Sequence, residues 1–305
     1  MTSWPQFNET KPDQIIHEIA MPLIGIRQGG DAYVAGSAFV MAPGWAITAS
    51  HVVEEFVAHY DNQRIVEGNL DVSFQMLAFL TLDAGTRHLP LRILRVWTSR
   101  PLDLALLAFG VPSDLPVDHR WKIPTLQMLP PKVGTEIVGF GFANSRVNAG
   151  SSVLTQIDLD PRSGTGTVLE IHHEIRDKVR LPFPCFRTNA RFDGGMSGDP
   201  VLDNSTGKVC GVVCSSLPAT RDDEDHISYV STLWPMAGIP VDVTDSGPSG
   251  GLPIPLFHLV GAGRLPRPID WSQVSLRLAS DGRQVVSARY SAAEWDGIGP
   301  ESSSS

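Results

Sequence analysis

Runs of strand length, alternating or wholly apolar, recur along the chain and leave little room for long helices. They include Met21–Arg27, Tyr33–Met41, Asp71–Leu82, Leu89–Trp97, Leu104–Phe109, Glu136–Phe142, Ser152–Leu159, Thr167–His172, Lys208–Ser215 and Ile227–Thr232. Such runs suit a pleated surface with at least one face buried. Turn residues separate them: Ala42–Pro43–Gly44, Asp83–Ala84–Gly85, Ser163–Gly164–Thr165–Gly166 and Asn204–Ser205–Thr206–Gly207. The 28 glycines and 24 prolines supply the breaks that many short elements need. The pattern predicts an all-β sandwich or barrels, with two helical patches at Asp13–Ile19 and His51–Val57. At 305 residues the chain can fill one large core or two lobes. No repeat of fixed period is present.

A proline-rich stretch from Val111 to Pro131 divides the strand-rich part into halves of similar size and reads as a connector. A second break, Thr244–Ser249–Gly251–Pro255, precedes a tail in which Val274–Leu278 and Gln284–Arg289 flank Ser280–Asp281–Gly282. Asp-Gly between alternating runs predicts a hairpin. Ser302–Ser305 is expected to be disordered.

The net charge of −9 and the lack of a long Lys/Arg run argue against nucleic-acid binding. No apolar stretch is long enough to span a membrane, and MTSWPQFNETKPDQ does not read as a secretory signal. Cys210 and Cys214 lie four apart in one strand run, which places them on one face but about 13 Å apart at the usual rise, too far for a disulfide. A bridge from either to Cys185 stays open, but a disulfide framework does not, and a cytoplasmic setting is expected. His172 and His173 are adjacent in a strand, so they point to opposite faces and no metal site is expected. The acidic run Arg221–Asp225 reads as a solvated turn.

Three segments carry chemistry, in the order His, Asp, Ser: Trp45–His51 with the preceding Gly36–Val40, Asp103–Leu107, and Gly194–Val201. Singly, each has an ordinary reading as a surface histidine, a turn cap and a glycine turn. Together they supply what acyl transfer needs. A serine hydroxyl is a weak nucleophile until a base takes its proton, and a carboxylate must fix the base's other nitrogen. Glycines beside the serine let amide N–H groups converge on a developing oxyanion.

These segments resemble the trypsin-like (chymotrypsin-fold) serine peptidases, whose patterns run T-A-A-H, D-[IL]-A-L-L and G-x-S-G-x-P. The resemblance covers about residues 20–243. It implies two six-stranded antiparallel β-barrels: an N-terminal segment at 1–20, barrels at 21–115 and 116–243, and a C-terminal extension at 244–305. It also implies the roles: His51 as general base, Asp103 as its orienting acid, Ser197 as nucleophile, and the N–H groups of Gly195 and Ser197 as oxyanion hole. Cys214, Ser215 and Ser216 match the strand that pairs with an extended peptide substrate. Arg191 matches the base of the specificity pocket. Pointing inward, it would favour an acidic P1 residue; the alternative is that it faces solvent or pairs with Asp193.

Ser50 stands where alanine is usual before the histidine, and Asp199 where glycine is common after Ser197–Gly198. The bulk of Asp199 must point away from the nucleophile, and neither change is expected to inactivate. Met196 stands where animal digestive members place an aspartate that pairs with a new N-terminus, so no activation of that kind is expected. Thr188–Asp193 is similar to the bacterial HtrA/Do branch, but the tail after Val243 is too short for that branch's PDZ domain. The implied function is a serine endopeptidase acting on proteins or peptides, without metal or organic cofactor, with a regulatory protein partner left open. The alternative is a catalytically silent binding module. An α/β-hydrolase esterase fails on chain order.

Overall fold

The computed structural model describes residues 7–9, 16–26, 32–59, 74–82, 85–113, 115, 119–148, 156–217, 226–243 and 252–290. The chain starts with β1 (Phe7–Glu9) and a short α1 (Ile16–Ile19). Six strands then close into an antiparallel barrel: β2 (Ala20–Ile26), β3 (Ala32–Ala42), β4 (Trp45–Thr48), β5 (Phe74–Leu82), β6 (Gly85–Thr98) and β7 (Ala105–Phe109). The turn predicted at Ala42–Gly44 joins β3 to β4, and α2 (Ser50–His59) follows β4. Phe39, Ile47, Met76, Leu91, Ile93 and Leu106 are fully buried inside. Each such side chain contributes about 1.5–3 kcal/mol on leaving water.

The second half contains β8 (Glu136–Phe142), β9 (Arg146–Asn148), β10 (Gln156–Asp158), β11 (Pro161–His172), β12 (Cys185–Thr188), β13 (Pro200–Asp203), β14 (Lys208–Leu217) and β15 (Ile227–Thr232). All but β9 and β10, which form a separate hairpin, belong to one sheet with β1 on its edge. Because β8 pairs with both β13 and β11, the sheet curls back on itself. The all-β, double-barrel architecture is therefore the one the motifs implied.

Three details depart from the expected pattern. Ser163–Gly166 is not a turn, since β11 runs straight through it and pairs with β8. The glycines there serve close approach instead: a Cβ on Gly164 would lie 2.1 Å from the Arg191 carbonyl oxygen, and one on Gly166 2.3 Å from the Ala190 nitrogen. The short strands β12 and β13 were not expected. Finally, Cys210 and Cys214 do not share a face. Each sits at a register shift of β14, so strict alternation fails. Cys210 joins the core of the curled sheet while Cys214 packs with Cys185, Leu181 and Phe183, and all three thiols are free.

After a 3-10 turn at Trp234–Gly238, the chain forms β16 (Pro240–Val241), β17 (Ile254–Pro255), α3 (Leu256–Gly261) and the hairpin β18 (Val274–Leu278) and β19 (Gln284–Ala288). This tail inserts Leu256, Leu259, Leu265, Trp271 and Val274 into the same apolar cluster as the closed barrel. Both oxygens of Asp270 accept hydrogen bonds from the connector, from the N–H groups of Met128 and Leu129 at 2.8 Å each. Asp242 bonds Arg95 and, at 2.6 Å, Trp97 on β6. No helix among the described residues is long and apolar enough to cross a membrane. The acidic run 221–225, residues 244–251 of the second break, residues 83–84 of the predicted turn, residues 152–155 and the terminal serines lie outside the described residues.

Candidate active site

His51 is the second residue of α2, set there because β4 is buried through Thr48 and delivers the chain to the seam. Asp103 immediately precedes the wholly buried Leu104 and strand β7, which pairs with β4. The two strands therefore bring residues far apart in sequence together. The Asp103 carboxylate accepts twice from His51. Oδ1 takes the backbone N–H at 3.0 Å, one of the orphan donors of a helix start. The ring Nδ1 lies 2.8 Å from Oδ2 and 3.0 Å from Oδ1, so Nδ1–H is the donor. The histidine side chain is 39% exposed and that of the acid 12%, so an incoming molecule can reach the ring but scarcely the carboxylate. Burial pulls the His51 pKa down. The hydrogen bond and charge of Asp103, helped by Glu55 and Glu54, outweigh it and hold the imidazole above its usual value.

Ser197 sits in a loop between β12 and β13 that is tied down on several sides. Met196 N–H donates to Asp193 O at 3.1 Å, Asn144 N–H to Gly194 O at 2.9 Å, and Gly198 N–H to Val213 O at 2.9 Å. The Ser197 carbonyl accepts from Ser37 N–H on β3 at 2.9 Å, which joins the loop to the first barrel. Gly198 has φ of +89°, and a Cβ there would lie 2.0 Å from Ser37 O. Both the left-handed backbone and the closeness of β3 thus demand glycine. Met196 is fully buried among Ile137, Val168, Phe192 and Val201, so apolar packing holds the loop at that position. Among the described residues, the N–H groups of Gly195 and Ser197 donate to no acceptor, and no hydrogen bond joins the Ser197 hydroxyl to His51.

Arg191 forks onto Asp193, with Nε to Oδ1 at 2.8 Å and Nη2 to Oδ2 at 2.7 Å, the alternative to an inward-pointing pocket base. A cavity of about 240 Å³ beside the loop is lined by Asn144, Phe192, Asp193, Ser216, His226 and Ser228 rather than by Arg191. Motif reading missed His226, which follows the acidic run and belongs to no signature. Ser215 and Ser216 lie half-buried on β14, paired with β15 on one side. Beyond Val212, no described strand pairs with the other edge of β14. Cys214 donates its thiol to Tyr229 O at 3.2 Å. Burial, reinforced by the Asp103 charge, pushes that thiol well above its usual pKa, so it is no nucleophile.

The model of the trypsin-like peptidase domain matches residues 36–212, more than half of the chain. The chain belongs to the trypsin-like peptidase family. No curated protein matches it in sequence. Solved structures similar to this peptidase include the active form of the Rv3671c protease from M. tuberculosis, at 17% identity over 83% of this chain and 95% of that one, with a TM-score of 0.48. The MamO protease domain from Magnetospirillum magneticum is similar at 16% identity over 72% and 94% of the two chains, with a TM-score of 0.44. Human heparin binding protein is similar at 14% over 74% and 90%, with a TM-score of 0.48. The family assignment rests on the domain model.

Proposed function

We propose that this peptidase is a serine endopeptidase that cleaves through an acyl-enzyme. The observation that carries the reading is the double grip of Asp103 on the backbone and ring of His51. With Nδ1–H committed, Nε2 is the ring atom left to accept a proton. Ser197 Oγ attacks the peptide carbonyl while His51 Nε2 takes its proton, and His51 returns that proton to the leaving amine. The uncommitted N–H groups of Gly195 and Ser197 receive the oxyanion. Water then deacylates Ser197 by the same route. The open edge of β14 at Ser215–Ser216 aligns the substrate as an added strand, and the cavity holding His226 takes its P1 side chain. The buried Met196 does the work of the activation ion pair, so no cleavage upstream is required for activity. Three free thiols favour a reducing compartment, and we place the enzyme in the cytoplasm.

A catalytically silent binding module is the second reading, favoured by the missing hydrogen bond between Ser197 and His51. Catalytic hydrogen bonds of this type commonly tighten only when substrate arrives. Labelling with a fluorophosphonate separates the two. The endopeptidase labels at Ser197 and loses labelling in Ser197→Ala; a folded wild-type protein that never labels is the silent module.

A further inference from the structure

Asp199 is a carboxyl group outside the triad, and its surroundings are those of a neutral acid. Its side chain is fully buried, and neither oxygen has a hydrogen-bond partner among the described residues. The carboxyl fills the space that a side chain at Gly141 on β8 would need. A Cβ there would lie 1.6 Å from Oδ2 and 1.9 Å from Oδ1. The backbone of Asp199 is pinned at both ends, donating to Met196 O at 3.1 Å and accepting from Val213 N–H at 3.0 Å. The loop segment that carries the carboxyl is therefore held in place.

Ser37 on β3 is the polar neighbour. It too is fully buried, and its hydroxyl has no hydrogen-bond partner among the described residues. Its carbonyl accepts from Thr48 Oγ1 at 2.6 Å, and its N–H holds the Ser197 carbonyl. Burial lifts the Asp199 pKa well above the carboxylate range, against a smaller opposing influence of the nearby Ser37 hydroxyl. The titratable groups on the surrounding elements are Tyr33 on β3, Glu136 on β8, Asp203 on β13, and Lys208, Cys210 and Cys214 on β14. No hydrogen bond among the described residues joins any of them to the Asp199 carboxyl. Buried polar atoms seldom stay unpaired, and an anion without a counter-charge is costlier still. One proton resolves both deficits.

We propose that Asp199 is a positioning residue working as a neutral carboxylic acid, its O–H donating to the Ser37 hydroxyl across the seam and so fixing the β3 backbone that holds Ser197. The inference rests on the reading of Ser197 as nucleophile. Loss of the proton at higher pH removes the donor and strands a charge between Gly141 and Ser37. The Ser37–Ser197 bridge then loosens, and kcat falls while KM changes little.

The experiment pairs an activity profile with a direct view of the proton. In wild type, fluorophosphonate labelling and kcat should fall about tenfold per pH unit beyond one alkaline ionisation. The infrared carbonyl band of a protonated carboxyl should be present at neutral pH and bleach over the same range. Asp199→Asn, which keeps a donor but cannot ionise, should lack both the band and the limb and label several times faster than Asp199→Ala. A wild-type protein with no protonated-carboxyl band at neutral pH overturns the proposal, as does an unchanged limb in Asp199→Asn. If the Asn variant does not fold, the wild-type infrared titration decides alone. A protein showing the band but no labelling at any pH refutes the nucleophile, which separates that failure from this one.

Discussion

The rim and the floor of the site each hold an aspartate, and the two are treated in opposite ways. At the rim, Asp103 accepts from two N–H groups of His51 beside a partly exposed ring. On the floor, Asp199 is fully buried and has no hydrogen-bond partner among the described residues. The same carboxyl group is an acceptor in one place and a candidate donor in the other, because hydrogen bonding favours the charged form and desolvation the neutral one. Chemical type in the sequence does not settle the role; the partners supplied by the fold do.

The comparison can be broken first at the rim. Asp103→Asn should lower kcat by about 10⁴-fold, since the amide no longer fixes the tautomer that leaves Nε2 free. In the proposed mechanism His51 serves as base only when neutral, so activity should rise with pH through its pKa. Asp103 raises that pKa, so the acid limb of kcat/KM should sit above the ordinary imidazole value in wild type and move down in the variant. A variant within tenfold of wild type would mean that Asp103 merely caps α2.

At the floor, Gly141→Ala forces a methyl group into the space of the Asp199 carboxyl. Overpacking of this kind costs about 1–3 kcal/mol, to be read by denaturant unfolding. Unchanged stability would show that the carboxyl has room to leave. The smallest effect is a slope. Between its unfolded and folded pKa values Asp199 is protonated in the native state and ionised in the unfolded one, so folding takes up a proton. Stability must then fall as pH rises through that window, by up to about 1.4 kcal/mol per pH unit, and level off above the folded pKa. Asp199→Asn should remove this contribution, and identical slopes in the two proteins would place Asp199 with the ordinary ionised acids.

Much of this was legible in the sequence wherever the signal is local. His51, Asp103 and Ser197 each lie in a short string whose neighbours dictate the backbone: a buried strand before the histidine, an apolar strand after the aspartate, glycines around the serine. The tail hairpin followed from Asp281–Gly282 between alternating runs. What failed depends on contacts made at long range. Gly164 and Gly166 read as a turn because the approach of Arg191 and Ala190, which explains them, is invisible locally. Two register shifts defeated the alternation expected of β14. Asp199 was expected only to point away from the nucleophile; that it points into a dry seam depends on Gly141, far away in the chain. The cavity's His226 is likewise placed by the return of β15 beside β14, not by any motif.

On the proposed mechanism, the clasp of Asp270 on Met128 and Leu129 gives the last part of the chain a say in catalysis. Those two amides belong to the link between the halves, and leaving each unsatisfied would cost about 1–3 kcal/mol. The tail in that sense braces the joint: His51 and Ser197 come from opposite halves, so the alignment the proposed mechanism needs depends on residues laid down after both.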